Sequence, residues 1–300
     1  MYDVIIIGGS YAGLAAALQL ARARRSVLVL DAGQRRNQFA AHSHGFLGQD
    51  GQSPATIQAK GKAEVLAYPT VTWREASATE ASRSQAGFRV CAGGDDYMAR
   101  RLILATGVSD LLPEIPGLKD LWGKRAFFCP YCDGFEFNLG PLGVLATGPG
   151  AAHYALLISE WAGRGLTTLF LNGSPDLGAS ELTKLAARSI TAEQERVARF
   201  VGHAEGVEVQ LGNGQARRVD AVFLPTQGRL NGPFAEQLGL ELESGPLGPY
   251  YKTDPTKETN LRGVFACGDD AQPMPGIAFA VADGVRAGAF AHQSLVFRPE

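Results

Sequence analysis

The residues most suited to chemistry are two cysteines, Cys129 and Cys132, in the run Cys129-Pro130-Tyr131-Cys132-Asp133-Gly134. A Cys-x-x-Cys spacing brings two sulfurs within bonding reach when the first begins a helical turn. A helix N-terminus also lowers a thiol pKa toward the reactive thiolate. Pro130 suits the first turn, where no backbone donor is needed. The pattern points to thiol–disulfide exchange. Two other readings use the same residues. A structural zinc needs about four ligands, and the sequence holds no second Cys/His cluster of suitable spacing, so no metal is expected. Buried, inert cysteines would explain poorly a Cys-x-x-Cys followed by Asp133-Gly134.

A second feature opens the chain. Gly8-Gly9-Ser10-Tyr11-Ala12-Gly13 lies between an apolar run, Val4 to Ile7, and an Ala/Leu-rich stretch, Leu14 to Ala23. Between a strand and a helix, such a turn is where a dinucleotide pyrophosphate binds. Gly8 makes the tight turn, Gly13 lets the helix sit close to the sheet, and the N–H groups of the helix start face the phosphates. Asp31, followed by Ala32-Gly33, ends the next apolar run and is placed to accept from a ribose hydroxyl. Ser10 stands where the motif's middle glycine is usual; it is small enough to tolerate backbone approach.

The opening from Ile5 to Ala16 resembles the FAD-binding start of the low-molecular-weight thioredoxin reductases and their relatives. Ala105-Thr106-Gly107 and Gly268-Asp269 fall where that family has its other two FAD motifs, and the likeness covers essentially the whole chain. The resemblance implies FAD as cofactor. It places Asp269 on the ribityl or phosphate region and the helix start at Pro275-Gly276-Ile277 toward the isoalloxazine. Arg36, Asn37, His44 and Gly48 would lie along the flavin and pyrophosphate, and Ala76 near the adenine. It makes Cys132 the flavin-proximal sulfur, Cys129 the outer sulfur that exchanges with substrate, and Asp133 the proton carrier. The alternative for Asp133 is a solvated turn residue. Pro-Tyr between the cysteines departs from the small residues of thioredoxin reductases. It is similar to the Cys-Pro-aromatic-Cys of the dithiol oxidases of gliotoxin and holomycin biosynthesis. Tyr131 faces substrate or serves packing; the sequence leaves both open.

A second glycine turn, Gly148-Pro149-Gly150-Ala151-Ala152-His153, follows the strand Leu142 to Ala146. His153 is read as occupying the place where the motif wants Gly or Ala, and Pro149 removes a donor near the phosphates. The next strand ends in Asn172-Gly173-Ser174, without an acid for a ribose hydroxyl or an arginine cluster for a 2′-phosphate. The expected function is therefore FAD-dependent oxidation of a dithiol, small molecule or protein, through Cys129/Cys132, with electrons leaving to dioxygen or another acceptor. The alternatives are a disulfide reductase fed by NADPH or another donor, and a flavin redox sensor without turnover. His153, Cys91 and Cys267 are read as structural.

These motifs need elements to carry them. The strand–helix–strand pattern at the chain start recurs roughly 135 residues later, which predicts an α/β fold of two Rossmann-like lobes. A discontinuous FAD-binding domain, 1–113 and 244–300, would hold an inserted NAD(P)-binding-like domain, 117–243, with the Cys pair. Leu111 to Gly117 and Glu243 to Pro249 read as Pro/Gly-rich crossings between lobes. Val207 to Leu211 and Arg218 to Leu224 read as two strands joined at Asn213-Gly214. Arg101 to Leu104 and Val264 to Ala266 read as strands, and Ile277 to His292 as the closing helix.

Composition bounds the rest. With 45% apolar and 19% charged residues in 300, the chain is globular. A net charge of −2 gives no reason to expect nucleic acid or anionic membrane as partner. No apolar run reaches the ~20 residues of a spanning helix, and Met1 to Gly8 does not read as a signal peptide. A cytoplasmic location is the default expectation, and a homodimer is expected because relatives are dimeric.

Overall fold

A computed structural model of the protein describes residues 1–173 and 177–298. In chain order, the first stretch holds β1 (Tyr2–Ile7), α1 (Tyr11–Arg22), β2 (Val27–Asp31), α2 (Pro54–Leu66), β3 (Val71–Glu75), β4 (Ala78–Ser84), β5 (Gly87–Ala92), β6 (Asp95–Leu104) and β7 (Val108–Leu111). The middle holds α3 (Leu118–Leu121), β8 (Ala126–Phe127), α4 (Pro130–Asp133), β9 (Leu142–Leu145), α5 (Ala151–Ile158), β10 (Thr167–Phe170), α6 (Ala179–Ala187), β11 (Thr191–Glu193), β12 (Val197–His203), β13 (Gly206–Leu211), β14 (Ala216–Val219) and β15 (Ala221–Phe223). The last holds β16 (Gln227–Leu230), α7 (Phe234–Leu238), β17 (Leu242–Gly245), β18 (Gly248–Tyr251), β19 (Val264–Ala266) and α8 (Ile277–Phe297). Contacts divide the chain into two compact units, residues 1–38, 53–110 and 228–300 in one, 39–52 and 111–227 in the other.

The first unit is built on a parallel array, β3-β2-β1-β6-β19, because runs such as Val4-Ile5-Ile6-Ile7 bury both faces. Alternation divides them between two cores. Val4, Ile6, Val27, Val29 and Ile103 meet α1 and α8 on one face. Ile5, Ile7, Leu28, Leu30, Leu102 and Leu104 meet Phe234 and Tyr251 on the other. The first half of β6 pairs antiparallel with β5, and β5 with β4, so one long strand serves the parallel array and a meander. Helices α1 and α8 touch closely: a Cβ on Gly284 would lie 2.1 Å from the Ala12 carbonyl oxygen, and one on Gly288 2.6 Å from that of Ala16.

Residues 228–243, assigned from sequence to the inserted lobe, pack in this first unit. Phe234, Leu238 and Leu240 enter its core, and Gln237 accepts from the Ala81 N–H at 2.8 Å. Glu243 to Pro249, read as a crossing, instead forms the paired strand ends and the turn of the β17–β18 hairpin. Its Gly and Pro residues serve a tight reversal, which looks like a linker in sequence.

The second unit is a five-stranded parallel sheet, β11-β10-β9-β15-β8. Helix α5 covers one face through Ala151, Ala152, Ala155 and Ile158; the other meets the antiparallel β12-β13-β14 through Phe200, Val207 and Val209. The stretch Arg218 to Leu224 is not one strand. It breaks at Asp220, with Ala216–Val219 in the hairpin and Ala221–Phe223 in the parallel sheet between β9 and β8. Among the described residues no helix is long and apolar enough to cross a membrane.

Candidate active site

Cys129 is the N-cap of α4, a single turn, with extended backbone (φ −111°, ψ 115°), and Pro130 takes the first helical position. The turn is closed by the Cys132 and Asp133 N–H groups donating to the Cys129 carbonyl, each at 3.2 Å. Both cysteines are free thiols and half-buried. They share their acidity unequally: the Cys132 thiol donates to the Cys129 sulfur, which lowers Cys129 and, with burial, raises Cys132. Of the two, the Cys129 sulfur is the one shifted toward its thiolate form, the species that reacts in exchange.

Asp133 is the third member. Burial, then repulsion from Glu136, lifts its carboxyl to about 7, against a smaller opposing pull from His44. A carboxyl at that value can take or give a proton near neutral pH. Its side chain is half-buried. His44 lies in the loop 39–52 and places Nδ1 3.5 Å from Asp50 Oδ1 and Nε2 3.5 Å from Glu136 Oε1.

Helix α5 and its end support the cysteine turn from below. The Tyr154 hydroxyl donates to the carbonyl of Phe128, and burial followed by the Cys129 and Cys132 charges raises that phenol. A Cβ on Gly134 would come 2.7 Å from Trp161 Cδ1, so only glycine lets the turn settle on the indole. Tyr131 meets Trp161 edge-on at 5.0 Å between ring centres while remaining 71% exposed. Its inner edge packs and its outer face is open.

In the first unit, Gly8 has φ +106°, and a Cβ there would stand 2.1 Å from the Ala105 carbonyl oxygen; one on Gly13 would stand 1.9 Å from that of Gly8. This is a cradle that side chains would fill. Ser10 is the N-cap of α1, and Tyr11 and Ala12 form its first turn. Asp31 Oδ1 accepts from the Gly9 and Gly33 N–H groups at 3.3 and 3.2 Å. Asp31, Ala32, Gly33 and Ala76 line one open groove of about 350 Å³. Arg36 binds Asp110 at 2.6 Å and Asp269 at 2.9 Å, while Asn37 donates to the Tyr11 hydroxyl at 3.2 Å. Ala105-Thr106-Gly107 follows β6, Gly268 follows β19, and Gly276 caps α8 ahead of Ile277. His44 and Gly48 are not in this unit: the segment 39–52 belongs to the second one.

The second glycine turn differs from its sequence reading by two residues. Ala146 donates to the Phe170 carbonyl as Gly8 donates to that of Leu30, with Leu145↔Phe170 and Ile7↔Leu30 in register. Ala146 therefore holds the first-glycine position, and buried Ala151 holds that of Gly13. His153 points outward on α5 and does not obstruct helix packing, contrary to the sequence expectation. Position 31 corresponds to Leu171, which is buried and apolar, followed by Asn172-Gly173. Ser174, the last residue of that expectation, lies outside the described residues. Cys267 is buried as expected, but Cys91 is half-exposed on β5 and donates to Asp96 at 2.8 Å.

Residues 2–284 match the pyridine nucleotide-disulphide oxidoreductase family. The chain belongs to this family. It is 34% identical over 308 residues to thioredoxin reductase tcpT of Claviceps purpurea, covering 98% of this chain and 94% of that one. Among solved structures, an oxidoreductase from Agrobacterium tumefaciens is 48% identical with a TM-score of 0.94, covering 100% and 99% of the two chains. HlmI is 34% identical with a TM-score of 0.91, covering 98% and 92%. The family resemblance, the α/β fold with two Rossmann-like sheets and the FAD cofactor expected from sequence are thereby established. The protein is an FAD-dependent thiol/disulfide oxidoreductase with a reactive cysteine pair.

The glycine cradle of this pyridine nucleotide-disulphide oxidoreductase fits such a cofactor, and the sequence reading missed one part of its support. Asp270, fully buried beside the expected Asp269, accepts from Thr106 Oγ1 at 2.7 Å and the Gly107 N–H at 2.9 Å. Burial raises its carboxyl to about 7. Asn231 adds a bond to the Thr106 carbonyl at 2.9 Å. The doubled acid at 269–270 was the only sequence signal for this brace.

Proposed function

We propose that the chain reduces a disulfide substrate through Cys129 and Cys132, as a thioredoxin reductase-like enzyme of its family. The observation that carries this reading is the divided acidity of the cysteine pair beside a carboxyl near neutrality, joined to full-length relatives named thioredoxin reductases. Bound FAD supplies the two-electron chemistry that reduces or oxidises the pair. The Gly8–Gly13 turn would bind its pyrophosphate, Asp31 a ribose hydroxyl and Asp269 the ribityl or phosphate region.

The chain's own steps follow from the geometry. The Cys129 thiolate attacks a sulfur of the substrate disulfide, forming a mixed disulfide and expelling one substrate thiolate. Asp133, while protonated, gives that thiolate a proton. Cys132, no longer facing a Cys129 thiolate, gives its proton to the Asp133 carboxylate left by the first step and attacks the Cys129 sulfur. The second substrate thiolate leaves, and the Cys129–Cys132 disulfide forms. Two electrons have moved from the pair to the substrate.

A second reading runs these steps backwards, from a substrate dithiol to the pair. One observation favours it: at the end of β10, Leu171-Asn172-Gly173 offers no acid to a ribose hydroxyl, and the cation beside it is the single guanidinium of Arg196 against Gly173. Dioxygen or another acceptor would then collect the electrons. Anaerobic mixing separates the two. Rapid bleaching of the visible flavin band by NADPH supports the reductase and overturns the oxidase. Bleaching by dithiothreitol while NADPH has no effect supports the oxidase and overturns the NADPH-fed reductase.

A further inference from the structure

The first unit carries a buried cation that the thiol chemistry does not use. Lys257, in the loop between β18 and β19, is 5% exposed and has φ +67°. A lysine in the left-handed region is strained where glycine would be free, and taking its ammonium out of water adds to the cost. Asp254 builds the turn that presents it. Its Oδ1 accepts from the Thr256 N–H at 2.8 Å, the Thr256 hydroxyl at 2.6 Å and the Glu258 N–H at 3.0 Å. The Lys257 N–H donates to the Asp254 carbonyl at 2.9 Å. Held this way, the ammonium reaches Asp283 Oδ2 on α8 and the Ala271 carbonyl, each at 3.0 Å. The same Asp283 oxygen accepts from the Gly268 N–H at 3.0 Å. Those two backbone groups bound one turn, Gly268-Asp269-Asp270-Ala271, which the Ala271 N–H closes by donating to the Gly268 carbonyl at 2.9 Å.

We propose that Lys257 and Asp283 are positioning residues for the flavin: as one ion pair they grip both ends of the 268–271 turn and hold Asp269 in the place from which it meets the cofactor. A buried ion pair contributes little net stability over apolar side chains of similar volume, so its use lies in the geometry it fixes. Here that geometry has little slack. Gly268 stands at φ +95°, and a Cβ on it would come 2.9 Å from Ala12 Cβ at the start of α1. Arg36 steadies the Asp269 carboxylate at 2.9 Å, and the pair steadies the backbone that carries it. The inference rests on the reading of Asp269 as the contact to the ribityl or phosphate region of FAD.

The test follows free FAD by its fluorescence as the holoenzyme is diluted, which gives the dissociation constant, and then titrates AMP into the same sample as a competitor. AMP carries the adenosine end and the phosphate beside it, and so offers the 268–271 turn nothing to hold. Lys257→Met combined with Asp283→Ala removes both bonds to the turn. FAD should then bind roughly tenfold more weakly, while the constant for AMP stays within about twofold. Lys257→Met combined with Asp283→Asn, nearly unchanged in volume, removes the bond to Ala271 alone and should show a smaller loss of the same kind. It decides the matter if the first variant does not fold; a cooperative melting transition in excess FAD identifies those that do. An unchanged FAD constant, or equal losses for FAD and AMP, overturns the role of the pair. Asp269→Ala is measured alongside. If it weakens FAD while the paired variants do not, the reading of Asp269 stands and the pair is discarded. If it leaves the FAD constant as in wild type, that reading fails first.

Discussion

Two turns of the same design sit in the two units, and they have diverged in what they can meet. From β1 to α1 the chain spends three residues, 8 to 10; from β9 to α5 it spends five, 146 to 150. The first begins with a glycine at φ +106° and starts its helix from extended Ser10. The second begins with Ala146 and starts its helix late, from Gly150 at φ +88°. At the neighbouring strand end, an aspartate that binds two backbone N–H groups in the first unit is replaced in the second by a buried leucine. Strand–turn–helix geometry therefore survives with a different set of residues at the turn and at the neighbouring strand end. In the second unit the helix serves another end, because Tyr154 and the residues behind it hold the cysteine turn.

The largest expected effect tests where the chemistry lies. Cys132→Ser should lower turnover roughly a thousandfold or more while leaving flavin bound, because one sulfur cannot resolve a mixed disulfide. Steady-state disulfide turnover and the flavin spectrum of the same sample check both parts. Next comes the contrast between the turns. Gly13→Ala sets a methyl 1.9 Å from a backbone oxygen, so the purified protein should lose most of its bound flavin. Ala151→Gly, the matching change in the second turn, should keep its flavin and cost about 1 kcal/mol in a melting experiment. Equal flavin loss in both would break the comparison.

A smaller effect belongs to Asp270. Its folded value, about 7, lies above the ordinary 3.8, so burial favours the protonated form. The stability it contributes is full below pH 3.8 and is lost as pH rises through about 7. Asp270→Asn should thus gain in melting temperature relative to wild type across that window; a constant difference would remove Asp270 as the cause. The smallest effect is at His153, which the second turn leaves outside. His153→Ala should change melting by no more than about 0.5 kcal/mol and leave the response to NADPH as it was.

Much of this organisation was legible because it is local. Cys-x-x-Cys with Pro130 specifies its own turn, and the residue spacing from Gly8 to Asp31 specifies strand, helix and strand in register. The register of the second turn was not, because Gly148 and Gly150 imitate the spacing of a motif whose real first position is an alanine. Only the hydrogen bond from Ala146 reveals it. Tyr154 and Asp270 were equally hidden in their roles. Each works on residues brought near by tertiary packing, and no period or spacing along the chain encodes that. The Gly/Pro content of 243–249 misled for a different reason: the same residues that make a linker make a hairpin turn.

The close seat of α8 on α1 has a consequence for the order in which the protein can be made. Gly284 and Gly288 lie against the carbonyls of Ala12 and Ala16, so one side of the first helix stays uncovered until the last helix exists. During synthesis from the N-terminus, the second unit is complete once residue 227 has emerged, whereas the first must wait through the whole of it. The cysteine turn therefore forms on a folded support before the flavin cradle is closed around its own sheet.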